Sequence, residues 1–245
     1  MPTRYQNAPI VEALIDITFE PKADVELSGI EERLTDILRE EYPNKEYREE
    51  TLVRLSASAP TVERSHSAVA FIDSSRKNIV QVGRGRFTFN RLAPYQTWGQ
   101  MQSEASRLWN VYAQLVPPAK IYRVAVRFLN RLEFPVSVME LEHYFRTYPE
   151  ISNGAQDHAT GFFMRLEIPQ KDIQSMAILI QSSIPTQAGN VTIMLDIELF
   201  QQVELPQAIS DPWAQLELLR ARKNEYFESS ITEQTRALFG ERTEI

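Results

Sequence analysis

Hydrophobic and polar positions change period several times along the chain, and each change marks an element. From Val11 to Phe19 they alternate strictly. Val11, Ala13, Ile15, Ile17 and Phe19 fall on one side, and Glu12, Leu14, Asp16 and Thr18 on the other. That period predicts a half-buried strand with an acidic outer row, ended by Pro21. Leu27, Ile30, Leu34, Ile37 and Leu38 then recur at helical spacing, so residues 24–41 are predicted to form an amphipathic helix that stops at Tyr42-Pro43-Asn44. Leu52–Ala57, Ser67–Asp73, Asn78–Val82 and Arg84–Asn90 read as a meander of short strands. Gly83 and Gly85 supply turn or bulge chemistry within it. Trp98, Met101, Ala105, Leu108, Trp109, Tyr112 and Leu115 return to a helical period, closed by Pro117-Pro118.

The pattern then starts again. Ile121–Phe134 is a strong strand, followed by a short helix over residues 137–147 that stops at Tyr148-Pro149. Phe162–Ile168, Ser175–Gln181 and Val191–Phe200 are strands, and residues 211–239 form a last helix carrying Trp213, Leu216, Leu219, Tyr226 and Phe227. Trp98 precedes Tyr112 by the same interval as Trp213 precedes Phe227. The predicted fold class is α+β: two β-α-β(3–4)-α halves, residues 1–117 and 118–245, related by internal duplication. They are expected to build one compact unit in which an antiparallel sheet carries its helices on one face.

On such a sheet the polar rows line the face turned away from the helices. The first strand contributes Glu12 and Asp16, and the strand opening the second half contributes Arg123, Arg127 and Arg131. Arg84 and Arg86 share a side with Thr88 and Asn90; Arg165 is paired with Glu167, and Asp196 with Glu198. Two readings follow. In the first, the charges form a ladder of cross-strand ion pairs, with Glu12 and Asp16 beside Arg123 and Arg127 if the two leading strands are neighbours. In the second, spare guanidiniums line a groove that binds an anionic or peptide ligand, since the planar fork suits bidentate recognition. The candidate partner-binding residues are therefore Arg84, Arg86, Arg123, Arg127, Arg131, Glu12 and Asp16.

Composition narrows the classes. The chain has 245 residues and no cysteine, which removes disulfides, thiolate nucleophiles and cysteine-ligated metals and fits a cytoplasmic location. The opening residues lack a signal-peptide layout, and no apolar run is long enough to cross a bilayer, so no membrane association is expected. A net charge of -7 argues against a partner held mainly through phosphates, although residues 84–131 hold a local run of arginines.

Catalytic chemistry is not signalled. His66, His143 and His158 stand in no metal-ligand spacing, and the chain has no phosphate-loop, dinucleotide or G-x-S-x-G pattern. Gly83-Arg84-Gly85 more often marks a bulge than a phosphate site. Asp196-Ile197-Glu198 is the best carboxylate pair and could share a divalent cation, but nothing supplies further ligands or a base. No catalytic residue, metal or cofactor is predicted.

Five segments are distinctive in their order: Asn7-Ala8-Pro9-Ile10-Val11-Glu12-Ala13, Arg91-Leu92-Ala93-Pro94-Tyr95-Gln96-Thr97-Trp98, Arg127-Phe128-Leu129-Asn130-Arg131, Leu195-Asp196-Ile197, and Phe227-Glu228 followed by Ile231-Thr232-Glu233. With them the chain resembles a sporadically distributed family of uncharacterised bacterial proteins of about this length. The resemblance supplies no catalytic residue. Its patchy distribution implies genes that travel in defence or toxin-control cassettes. The leading expectation is a non-enzymatic regulatory protein that recognises a protein partner. The alternative is a nucleic-acid or anionic-ligand binder using a basic groove, and a metal-dependent hydrolase comes third. A homo-oligomer is compatible with each.

Overall fold

The strands that open the two sequence patterns lie side by side. In the computed structural model, which describes residues 3–54, 61–136, 139–150, 161–184, 190–240 and 242–244, β2 (Ile10–Pro21) pairs antiparallel with β7 (Pro118–Phe134). They form the middle of a nine-stranded antiparallel sheet. Outward from β2 come β6 (Arg86–Leu92), β5 (Asn78–Gly83), β4 (Thr61–Ile72) and β3 (Asn44–Arg54). Outward from β7 come β10 (Val191–Gln202), β9 (Ser175–Ile184) and β8 (Phe163–Gln170). The sheet thus runs unbroken across the Pro117-Pro118 seam. A separate two-stranded pair joins β1 (Thr3–Tyr5) to β11 (Arg242–Glu244).

The helices are α1 (Leu27–Leu38), α2 (Trp98–Leu115), α3 (Leu141–Tyr144), α4 (Pro212–Ser230) and α5 (Glu233–Ala237). One buried cluster joins Ala13, Ile15, Ile17 and Phe19 of β2 and Val124, Val126 and Phe128 of β7 to Ile30, Leu34 and Leu38 of α1. Trp98, Leu108 and Trp109 of α2 and Leu216 and Leu219 of α4 belong to it as well. A second cluster gathers Leu195 and Ile197 of β10, Leu132 and Phe134 of β7, and Phe227, Ile231 and Phe239. Strand alternation sends the intervening residues to the other side of the sheet.

Three sequence expectations are corrected. The helix predicted over 211–239 is two helices. Ile231 takes extended angles (φ -114°, ψ 154°) and bridges Phe145, and the Thr232 side chain then caps α5 by accepting from the Thr235 amide. The strand predicted from Arg84 begins at Arg86, because the chain turns at Arg84-Gly85. That turn needs its glycine for space: a Cβ on Gly85 would lie 2.5 Å from the Phe19 carbonyl oxygen. The short helix spans only Leu141–Tyr144, with residues 137–138 outside the described set, as are residues 55–57 of the strand expected over Leu52–Ala57.

Candidate functional site

Even-numbered positions of β2 place Glu12 and Asp16 on the face opposite the buried clusters. The register sets Asp16 beside Thr88 of β6 on one flank and Ala125 of β7 on the other. Asp16 is only 2% exposed and is the centre of a charged strip. Its Oδ2 accepts from Arg86 Nε at 2.7 Å and from Thr88 Oγ1 at 2.8 Å. Its Oδ1 accepts from Arg123 Nη1 at 2.8 Å. Arg123 reaches onward to Glu198 of β10, 2.6 Å from Nη2, while its guanidinium lies 4.8 Å from the centre of the Phe200 ring. Arg127 makes a forked pair with Asp196, Nε to Oδ1 at 2.9 Å and Nη2 to Oδ2 at 2.5 Å. That carboxylate holds the guanidinium pKa above its ordinary value, against burial, which lowers it. Glu12 accepts from Asn90 at 2.5 Å; Asn90 accepts from Gln81 at 2.8 Å, and Gln81 from Arg48 at 3.2 Å. The strip therefore reaches from β3 to β10.

Of the predicted partner-binding residues, Glu12, Asp16, Arg86, Arg123 and Arg127 come together here. Arg84 does not: it sits in the turn before β6 and pairs at 3.0 Å with Glu26 ahead of α1, both side chains well exposed. Arg131 also lies apart, paired at 2.9 Å with Glu133 of its own strand. There the β2–β7 register has already shifted, between Ile10 and Glu12. The ladder geometry expected between the two leading strands is present, with Asp16 rather than Glu12 as its hub. Beside it on the same face stand half-buried apolar side chains: Leu14, Leu129, Met194, Ile178, Ile180 and Phe200.

On the other face lies a charged group that the sequence reading passed over. Lys223 of α4 is 6% exposed, with Nζ 3.8 Å from the centre of the Phe128 ring. Burial pushes its pKa down to about 7, helped by the Arg220 charge and opposed by Glu228. The signal was available, since residue 223 falls one helical turn from Leu219 and one from Phe227, on the apolar stripe. Trp98, at the start of α2, donates its ring N–H to Glu217 of α4, and Tyr95 packs edge-on against Phe128 at 5.6 Å. The Arg91–Trp98 segment thus docks onto α4 and β7.

Asp196 and Glu198 are each engaged by a guanidinium, and among the described residues no group of three or more His, Asp or Glu side chains gathers as a cation site. His143 is exposed and lies 3.1 Å from Glu140; His158 and the side chain of His66 lie outside the described residues. Two shallow clefts, of ≈ 350 Å³ beside Gln201 and Glu204 and ≈ 190 Å³ beside Arg91 and Glu104, lie outside the strip. Among the described residues no helix is long and apolar enough to cross a membrane. No protein-family model matches the chain, and neither does any curated protein.

Proposed function

We propose that the chain is a non-enzymatic protein-binding module, and that the face carrying the Asp16 strip is its docking surface. One observation carries this reading. Arg86, Arg123 and Arg127 are each matched to carboxylates, within a strip bordered by half-buried apolar side chains. Such a face has little unbalanced charge to offer a phosphate backbone, and it has the mixed apolar and polar character of a protein interface. A groove for nucleic acid would instead need guanidiniums without partners. The strand order supports a duplicated architecture: each half sets its first strand at the centre, its last strand beside it, and the others outward in reverse order. In that architecture the helices cover one face of the sheet and leave the strip face for a partner. The resemblance to a sporadically distributed bacterial family favours a partner encoded nearby, in a defence or toxin-control operon.

Co-expression with the products of adjacent genes, followed by size-exclusion chromatography, tests this. A complex should form with one of them and be lost on Ile180→Glu, with the thermal transition of the isolated protein retained. The absence of a complex with every neighbour, or nucleic-acid binding that weakens steeply with salt, would overturn the reading.

A further inference from the structure

The outer edge of β8 is unpaired among the described residues, and its sequence is complementary to itself. The Ser183 amide bonds the Phe162 carbonyl, and this pair continues the β8–β9 register, so alternation gives Met164, Leu166, Ile168 and Gln170 their ladder bonds toward β9. The N–H and C=O groups of Phe163, Arg165 and Glu167, and the carbonyl of Pro169, then point away from the sheet. Their side chains are exposed, Phe163 at 69%. On the other side of the strand, Met164, Leu166 and Ile168 are half-buried; Leu166 and Ile168 pack against the two core clusters.

We propose that β8 pairs antiparallel with the β8 of a second copy of this chain, about a two-fold axis through Leu166. That register matches the charges and the apolar row of the edge. Arg165 falls opposite Glu167 of the second copy, and Glu167 opposite its Arg165, at positions that exchange both backbone bonds. Two cross-strand ion pairs then replace the pair that Arg165 and Glu167 make along one strand. Phe163 falls opposite Pro169, whose missing N–H removes one outward donor and whose ring faces the exposed phenyl. Leu166 meets Leu166, and Met164 meets Ile168, extending the apolar layer. A shift by two residues would set Arg165 against Pro169 or against the Arg165 of the second copy, and lose both ion pairs. The contact is isologous and closes on itself as a two-fold interface requires, and it protects an edge that would otherwise template aggregation. Its backbone bonds use the sheet edge, while its Arg165 and Glu167 side chains lie on the strip face, opposite Ile180 and Ile178.

Sedimentation of the full chain from low micromolar to high micromolar concentration tests the proposal, with circular dichroism as the folding control for these exposed sites. The wild type should be a monomer–dimer mixture. Arg165→Glu and Glu167→Arg each place two like-charged pairs across the axis, and each should weaken dimerisation about tenfold or more. The swap R165E/E167R should restore it, and mixing the two single variants should give a heterodimer. A wild type that stays monomeric overturns the proposal, as does a dimer indifferent to either single variant.

Discussion

Asp16 and Lys223 are both charged and both nearly inaccessible, one on each side of the central strands, and they meet burial in opposite ways. Asp16 is held by donors from two flanking strands, Arg86 and Thr88 of β6 and Arg123 of β7. Lys223 has an aromatic face beneath it, and its largest influence is desolvation. A carboxylate ringed by donors acts as a structural joint. An ammonium given a ring sheds part of its charge near neutral pH. The same fold thus contains one buried charge that should stabilise it and one that should cost it stability.

Breaking the joint should have the largest effect. Asp16→Ala leaves Arg123 with Glu198 alone and frees Arg86 and Thr88, and should lower unfolding stability by about 2–4 kcal/mol in urea titrations. The opposite sign is expected for Lys223→Met, which keeps the volume and removes the desolvated group: a gain of about 1–3 kcal/mol at pH 7. A linked pH dependence sharpens this contrast. Above a folded pKa of about 7 the native chain releases the Lys223 proton, whereas the unfolded chain keeps it. The unfolded state therefore binds more protons, and stability should rise between pH 7 and pH 9 in the wild type. Lys223→Met should remove that rise, as read from thermal transitions in matched buffers. The smallest effect belongs to Arg84→Ala. The Arg84–Glu26 pair is exposed on both sides and lies outside the strip, so the change should stay within about 0.5 kcal/mol.

Much of this contrast is legible in the chain. The strict alternation of Val11–Phe19 puts Asp16 on the outer row, and that of Ile121–Phe134 puts Arg123 and Arg127 on a matching one, because side-chain direction in a strand follows parity alone. Which carboxylate meets which arginine depends on register: Asp16 stands opposite Ala125 and Thr88, diagonal to Arg123 and Arg86, whereas Glu12 stands opposite Leu129 and Leu92. Arg84 reads as a strand residue because parity continues through it; the close approach of Gly85 to Phe19, which turns the chain there, is a tertiary fact. The break at Ile231-Thr232 is masked by the apolar period continuing into Leu238 and Phe239, although threonine before Glu233 is an ordinary capping signal. Lys223 is hidden for a different reason: lysine is ordinarily solvated, and only helical arithmetic places it on the core stripe. β1 and β11 are too short to carry a period.

Asp16 and Arg123 are the ionic joint between the two leading strands, rather than independent surface charges. A double-mutant cycle on Asp16 and Arg123 measures it most directly. Unfolding free energies of wild type, Asp16→Ala, Arg123→Ala and the double variant should give a coupling of about 1.5–3 kcal/mol, the range of a charge-assisted hydrogen bond between partly buried groups. Additivity within about 0.5 kcal/mol would mean that the two residues act independently, and would contradict the account.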